Sequence, residues 1–572
     1  MKLSSLSLAM LPLLSVFSVN AAVYSIVDLG TEASQVKSTY AAALNDSGDT
    51  LIHGYGIYDF PLDLDSINFD SDAIKAILTE EQINDARNGV VTAQVLSTLT
   101  NFLYSNSSVA ANQKIGQVIA LTKTGNSNIT VQKLRDTAGI YSNNEYLYAV
   151  NNNGAAVGLA TATYTRQEFT PAPTETTPDP QMVKVWVPDA MYQAGMLLNN
   201  GQVSVLPAPY QELGGGFSVA KAISNTGLIV GHGSTGMPEA VYENIEENCD
   251  GKTTPQALCF YNSAVSGSYI QRALSWQLEA GGSVSAPQSY GFLGDKNSGQ
   301  PHSREDYAAI TYTSTANAVN DNGLIAGQSV YSDSDRITCV SVDIYGYCNA
   351  QGVSRANHAT LYNGSEVEAM IDPLEWSSSD ATVINNNDIV AGYATKVINS
   401  ANRRKFFYYD YNTKQTVFPD DFFASSSSVP ADINDQGQIV GRGEVMIGGT
   451  ASRRLHAFLY DIPTDTFSDL NKLIGCDAPY TLVEANAINN NGEILATAIV
   501  EREAKNAKGE AIIDSSGNPV MEEVTTTLKL APIPNGEAED CGTNDNNYDR
   551  KGGSIGWFPV LLAGLLFLRR RK

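Results

Sequence analysis

Histidines near small polar residues are the first groups in this sequence that could do chemistry. Gly231-His232-Gly233-Ser234 places a base two residues before a serine, as nucleophilic catalysis could use. This segment ends a repeated hairpin motif described below, which favours a structural role. His358 and His456 occupy equivalent positions of a second repeated segment, where Arg272 and Lys405 also stand. Because His, Arg and Lys all occur at this one repeat position, a structural role is favoured over a catalytic one.

Known active-site patterns do not occur in the sequence. It has no nucleophile elbow, no H-E-x-x-H and no phosphate-binding loop. Asp63-Leu64-Asp65 and Asp70-Ser71-Asp72 are reminiscent of calcium loops but lack the fifth and sixth residues of that motif. We expect solvated acidic loops that attract calcium only loosely. The sequence therefore predicts no catalytic residue, no metal site and no cofactor.

Six cysteines are the remaining reactive groups. In an oxidising compartment we expect disulfides between sequence neighbours, because short loops close at the lowest entropic cost. The pairs are Cys249 with Cys259, Cys339 with Cys348, and Cys476 with Cys541. A metal site is disfavoured, because no C-x2-C spacing occurs and the five histidines are scattered.

The N-terminus has the features of a secretory signal peptide over residues 1–21. Lys2 supplies the positive start, the segment from Leu8 to Phe17 is a short apolar run, and Ala21 ends a small-residue cleavage site. The alternative is a membrane anchor, but the run is too short to cross about 30 Å of hydrocarbon. We expect export across the inner membrane by the export machinery.

The C-terminus carries Gly552-Gly553-Ser554, an apolar run from Trp557 to Leu568, and four final cations. This tail, residues 552–572, resembles the GlyGly-CTERM sorting signal of Gram-negative bacteria. The resemblance implies cleavage near the glycine pair by a rhomboid-type protease, transient membrane contact through the tail, and delivery to the cell surface or medium. The alternative is a permanent tail anchor that faces the periplasm. An acidic and polar spacer, residues 538–551, precedes the tail.

Composition excludes two classes of protein. The 572 residues contain 36 Lys and Arg against 61 Asp and Glu, a net charge of −25, which would repel nucleic acid. Only 17% of residues are charged, and 28 Tyr and 17 Phe argue against disorder. We therefore expect a folded monomer that binds no nucleic acid.

An internal repeat determines the predicted fold. Its unit is an apolar residue, Asn, two polar residues, Gly, and an aliphatic pair, which is the pattern of a strand, a tight turn and a second strand. Seven copies occur, at 43–48, 149–158, 222–231, 318–327, 383–392, 432–441 and 487–496. A third strand often follows, as at 272–276, 358–362, 405–409 and 456–460, and a fourth as at 202–206. Four strands in each of seven units predict an all-β, seven-bladed β-propeller over residues 22–537.

The repeat resembles the HAF repeat of bacterial extracellular proteins, on the strength of His456-Ala457-Phe458 and its equivalents. Residues 23–30 are predicted to close the ring as the fourth strand of the last blade, whose third strand would run from Thr525 to Ile533. The competing architecture has two smaller β domains divided near 170–181.

Most intervals between repeats exceed the roughly 40–50 residues of a bare blade and must contain insertions. The longest insertion, about residues 70–138, is predicted to be helical. Thr79 and Gln82 form a capping-box pattern, and an apolar stripe between Val91 and Leu103 has helical spacing. Further short helices are predicted at 115–121 and 130–136. The stripe could cover one propeller face as a lid, but packing without a ligand role is the favoured interpretation.

These patterns favour an exported, non-enzymatic propeller that binds an unknown extracellular ligand, a carbohydrate or a protein. One alternative is a secreted hydrolase or lyase whose site lies at the channel mouth. A second is a structural protein of the cell envelope. All three rest on fold-level analogy.

Overall fold

The structure is a computed structural model that describes residues 23–539 except 137, 265 and 447–451. The predicted signal peptide with Ala21, most of the spacer, and the tail with Gly552, Gly553 and Ser554 lie outside the described residues. Their processing stays a prediction. Cys541 also lies outside them, so its pairing with Cys476 stays a prediction.

Each repeat copy forms the predicted hairpin because the side chain at its asparagine position, Ser224 in the third copy, organises the turn. In the fifth copy, Asn385 Oδ1 accepts hydrogen bonds from Asn387 N at 3.1 Å and Ile389 N at 3.0 Å. The residue three positions after the asparagine position has a positive φ in every copy, which is why glycine occupies it six times. Asp388 takes the same conformation, with φ of 61°.

Seven blade sheets follow from these hairpins in the described residues, and they are antiparallel except for the short parallel pairing of the strand at Gly294–Asp295 in the fourth. The strand β1 (Tyr24–Asp28) precedes the first blade. The first blade contains β2 (Val36–Leu44), β3 (Thr50–Ile57), β4 (Val118–Lys123) and β5 (Thr130–Gln132). The second contains β6 (Glu145–Val150), β7 (Ala156–Thr161), the inserted pair β8 (Tyr164–Phe169) and β9 (Val183–Pro188), β10 (Gln193–Asn199) and β11 (Gln202–Leu206). The third contains β12 (Ser218–Ile223), β13 (Leu228–Gly236), β14 (Ile270–Gln277) and β15 (Gln288–Ser289).

The remaining four blades keep the same order. The fourth contains β16 (Gly294–Asp295), β17 (Ser314–Val319), β18 (Ile325–Val342), β19 (Cys348–Asn363) and β20 (Glu366–Ala369). The fifth contains β21 (Ser378–Ile384), β22 (Ile389–Ile398), β23 (Ala401–Asp410) and β24 (Gln415–Val417). The sixth contains β25 (Ser428–Ile433), β26 (Gln438–Met446), β27 (Arg453–Asp461) and β28 (Thr466–Asp469). The seventh contains β29 (Thr481–Ile488), β30 (Ile494–Glu503) and β31 (Met521–Pro532).

The blades form a closed ring. The first strand of each hairpin contacts its counterparts in both neighbouring blades, and β29 contacts β2 across the seam. The seventh sheet has the order β1-β31-β30-β29, with Tyr24 opposite Pro532 and Asp28 opposite Leu528. This pairing confirms the predicted closure by residues 23–30. The two-domain alternative is wrong, because residues 170–181 lie in the connection between β8 and β9 of one blade.

The first insertion contains three helices, and the predicted helical segment is confirmed in its first half. They are α1 (Asp72–Lys75), α2 (Glu80–Arg87) and α3 (Ala93–Ser105), and Thr79 and Gln82 form the predicted capping box at α2. The helices predicted at 115–121 and 130–136 are wrong, because those segments contain the strands β4 and β5. Their backbone groups pair with the first blade, so the propeller resumes before residue 138.

The apolar stripe of α3 packs inside its own insertion. Leu99 and Leu103 are fully buried against a cluster whose members all come from residues 62–115. This burial agrees with the packing interpretation of the stripe.

Other insertions also lie between second and third strands. The third blade carries α5 (Glu239–Asn248) and α6 (Gln256–Ser263) between β13 and β14. The short α4 (Glu212–Gly215) lies in a different connection, before β12. Two predicted disulfides are present: Cys249–Cys259 joins the end of α5 to α6, and Cys339–Cys348 joins the tips of β18 and β19.

Candidate binding site in the central channel

The two faces of the ring differ in what they carry. The hairpin turns between first and second strands all lie on one face, which we term the collar face. Connections between second and third strands, including every insertion described above, lie on the other, the insertion face. Because loops on a rigid propeller are free to vary, this division makes the insertion face the place to look for a binding site.

A belt of hydrogen bonds, the asparagine collar, closes the collar face. Six repeat asparagines donate from Nδ2 to the main-chain oxygen of the equivalent residue in the next blade, over 2.9–3.2 Å. The exception is Ser224, whose hydroxyl instead accepts from Leu228 N. A second belt involves the residue directly after each collar position. In all seven blades its backbone N–H donates to the Asp or Asn side chain of the equivalent residue in the next blade, over 2.6–3.0 Å.

A β-bulge directs one residue of every inner strand into the channel. The register shifts three residues before the collar position in all seven blades. Such bulges re-aim side chains. The bulged residues line a cavity of about 310 Å³ and are Ala42, Tyr148, Lys221, Asn317, Thr382, Ala431 and Asn486.

Opposite charges approach the channel from separate blades. Lys221 Nζ lies 4.5 Å from the centre of the Tyr148 ring. Asp380 stands two residues further toward the insertion face, and its Oδ1 accepts a hydrogen bond from Asn317 Nδ2 at 2.9 Å. Lys221 and Asp380 interact electrostatically, yet no direct ion pair joins them in the described part of the chain.

Burial changes the acidity of both groups. It raises the pKa of Asp380 to about 7, although Lys221 and the Asn317 amide favour the charged carboxylate. Burial also lowers the pKa of Lys221, against the attraction of Asp380. A carboxyl group that titrates near neutrality is a feature shared by binding and catalytic sites.

A second polar cluster lies beside this one. Arg442 Nη1 is 3.2 Å from Glu484 Oε2, which joins the sixth blade to the seventh. Burial raises the pKa of Glu484, and Arg442 opposes that shift. The Arg404 guanidinium lies 4.9 Å from the centre of the Tyr393 ring. Both groups interact electrostatically with Asp380.

Aromatic side chains of the first two blades complete the wall. His53 Nε2 is 2.9 Å from Leu147 O, and its ring contacts those of Tyr146 and Tyr148 edge-on. Burial lowers the pKa of His53 to about 4, so the ring is neutral at physiological pH. Tyr40, 38% exposed, packs edge-on against Tyr55. This part of the wall therefore presents phenol rings and a neutral imidazole.

The histidines considered from the sequence lie in structural positions. His232 lies in β13 and burial lowers its pKa to about 3, with Lys221 acting in the same direction. His358 is only 2% exposed. His456 Nδ1 is 2.8 Å from Asp469 Oδ2. Their positions on three different blades do not bring them together.

The acidic pairs of the first insertion are engaged by arginines. Asp63 lies 3.3 Å from Arg166, and Asp70 lies 2.8 Å from Arg87. Among the described residues, no group of three or more potential ligands is placed to hold a metal ion. No described helix has the length and apolar character needed to cross a bilayer.

Sequence reasoning missed the channel residues, because each comes from a different repeat. A signal was nevertheless present. Three residues before the repeat asparagine the sequence has Tyr148, Lys221, Asn317 and Asn486 in four copies, where two others have alanine. A polar or aromatic residue at that position marks a side chain that the bulge directs into the channel.

A family model described as "Protein of unknown function (DUF3466)" matches residues 1–571. No curated protein matches the chain. Among solved structures, an oligogalacturonate lyase from Vibrio parahaemolyticus is similar with 10% identity and a TM-score of 0.28, over 68% of this chain and 96% of the lyase. The β-propeller domain of the Trilobed protease from Pyrococcus furiosus is similar with 9% identity and a TM-score of 0.27, over 77% and 97%. Similarity at this level carries no argument about activity.

Proposed function

From the premise that the chain belongs to this family, we propose that it is an exported propeller that binds an extracellular carbohydrate at the insertion-face mouth of its channel. The observation that carries the proposal is the pair of Lys221 and Asp380. Both face the channel from different blades without a direct ion pair in the described part of the chain. Half-buried charges lower stability unless they are compensated, so a polar ligand between them would satisfy both.

The neighbouring groups suit a sugar. Asn317 and Asn486 offer amide donors and acceptors at the same depth of the channel as Lys221. Tyr40, Tyr146 and Tyr148 offer rings that can pack against the apolar faces of a pyranose. Pockets with few polar groups on aromatic walls are typical of small-molecule sites. A protein ligand would need a protruding segment narrow enough to enter the mouth.

Two conservative variants test this site. Lys221→Met and Asp380→Asn remove one charge each and keep most of the side-chain volume. Each is expected to weaken glycan binding about tenfold or more, because charge-assisted hydrogen bonds are lost. The measurement is a glycan array followed by calorimetry on the best glycan. Lys184→Met, at an exposed lysine of β9, is the matched control. Binding that persists in both channel variants contradicts the proposal, and binding only to proteins replaces the carbohydrate.

Catalysis is the second candidate, and the raised pKa of Asp380 favours it. A carboxyl group with a pKa near 7 can exchange a proton at physiological pH, and Arg404 and Lys221 nearby could stabilise developing negative charge. If this is correct, purified protein degrades the glycan that it binds and Asp380→Asn abolishes the degradation. A parent protein that returns the bound glycan intact excludes this candidate.

Export is the other part of the proposal. Two disulfides in the described chain are consistent with an oxidising compartment. The signal-peptide pattern, the HAF-like repeats and the GlyGly-CTERM-like tail support surface display or release after cleavage by a rhomboid-type protease. Intact mass of protein recovered from the surface or medium tests this: loss of residues 1–21 and of the tail near Gly553 is expected. A mass that includes Arg569 to Lys572 contradicts it.

A further inference from the structure

A second cavity, which we term the hairpin pocket, lies on the insertion face away from the channel. It has a volume of about 390 Å³ and is enclosed by the stem of the β18–β19 hairpin and the edge of the fifth blade. Arg336 and Arg355 line it from the hairpin, while Leu374, Trp376 and Val397 line it from the fifth-blade side.

The two arginine side chains of the pocket have no partner in the described part of the chain. Neither guanidinium makes a hydrogen bond or an ion pair with any described residue. The acidic side chains beside them pair with lysines instead: Asp333 and Asp335 share Lys296, at 2.7 and 3.0 Å, and Glu375 lies 3.3 Å from Lys396. Two free guanidinium groups that share one cavity are unexpected in a chain with a net charge of −25.

The other wall of the pocket combines apolar side chains with the ion pair of Lys396 and Glu375. Trp376 stacks on Phe418 with ring centroids 4.3 Å apart, and Lys396 Nζ lies 5.1 Å from the Trp376 ring centre. Leu374 is 56% exposed and Val397 is 64% exposed beside it. The pocket thus has two unpaired guanidinium groups on the hairpin side and exposed aliphatic side chains on the fifth-blade side.

We propose that the hairpin pocket binds an acidic glycan through a uronate residue. Arg336 and Arg355 bind the carboxylate, since guanidinium groups match carboxylates in geometry and charge. The apolar face of the sugar ring rests on Leu374 and Val397 at the edge of Trp376. The pocket is separate from the channel, so this inference goes beyond the proposed function.

Calorimetry with short alginate oligosaccharides tests the inference on the purified protein. The parent is expected to bind them, and oligosaccharides whose carboxyl groups have been reduced to alcohols are expected not to bind. Arg336→Ala and Arg355→Ala should each weaken binding about tenfold or more, because each removes a charge-assisted contact. Both side chains are exposed, so the variants are expected to fold normally.

The matched control is the double variant Lys184→Ala with Lys508→Ala, which removes two exposed cations from other blades. It is expected to bind alginate as the parent does. Absence of alginate binding by the parent overturns the proposal, as does equal weakening in the control. Poly-glutamate that binds as tightly as alginate, and loses affinity in the same arginine variants, would assign the pocket to acidic peptides instead.

Discussion

At the scale of single residues, Asp432 is unusual. It lies two residues before the repeat asparagine, at a position where the other six copies have alanine or valine. Asp432 Oδ2 accepts a hydrogen bond from Ile488 N at 2.9 Å, and Oδ1 accepts from Ile433 N. Burial nevertheless raises the pKa of Asp432 to about 7, and the charge of Asp46 adds to that shift. The folded protein therefore holds this proton more tightly than the unfolded chain does.

Linkage gives this shift a measurable consequence. Stability is expected to fall as pH rises from about 4, the unfolded value, to about 7, because unfolding then releases the proton. Asp432→Asn removes the charge and keeps one of the two acceptors, so its stability should fall less than that of the parent between pH 4 and pH 8, by about 1 kcal/mol or more. Chemical denaturation at both pH values measures this. The exposed Asp179→Asn serves as control, and equal effects of the two variants contradict the expectation.

The missing link of the asparagine collar gives a second prediction at this scale. The hydroxyl of Ser224 does not bond to the main-chain oxygen of Asn320 in the next blade. Each repeat asparagine does make the corresponding hydrogen bond to its own neighbouring blade. Ser224→Asn should complete the belt and stabilise the protein by about 1 kcal/mol, the usual net value of one buried hydrogen bond. Asn385→Ala, which removes an existing link and two turn bonds, should destabilise it by more. Thermal melts of both variants decide this, and a lower melting temperature for Ser224→Asn sinks the prediction.

At the scale of elements, the first insertion is a small helical unit with its own core. Leu99 is fully buried inside it. Leu99→Ala should therefore destabilise the insertion by about 3 kcal/mol, from lost burial and the cavity left behind, without opening the blades. Hydrogen exchange is expected to speed up in residues 62–115 and to stay unchanged in β2 and β3. The exposed neighbour Ser97→Ala is the control, and faster exchange throughout the first blade would show that the unit is not separate.

The elements also show where sequence reasoning was sufficient and where it failed. The hairpins were predictable because asparagine and the residue with positive φ determine each turn locally. The strand β4 was mistaken for a helix because Val118 to Leu121 are all buried, so the alternation that identifies a strand is lost between two packed blades. The channel cluster could not be derived, since Lys221 and Asp380 meet only after seven repeats close into a ring.

At the scale of the whole molecule, ring closure depends on five residue pairs between β1 and β31. Asp28 strengthens this seam: it forms an ion pair with Arg502 and accepts hydrogen bonds from Thr526 Oγ1 at 2.8 Å and Tyr480 Oη at 3.1 Å. Asp28→Ala should cost about 2–3 kcal/mol, because three half-buried side chains lose this carboxylate as a partner. A denaturant titration should show one cooperative transition at a lower midpoint. The nearby Thr31→Ala is the control, and an unchanged midpoint for Asp28→Ala would mean that the backbone pairing alone holds the seam.

The seam also determines how the ring can be mounted. Ile26 pairs with Leu530, Leu530 with Ile494, and Ile494 with Ile488 next to the asparagine collar. Strand β1 therefore starts, and β31 finishes, on the collar side of one blade. A tether fused before β1 or after β31 therefore attaches to the propeller on its collar face, opposite the insertion face. Protein immobilised on a sensor chip through such a tether would keep the channel mouth and the hairpin pocket accessible to ligands in solution.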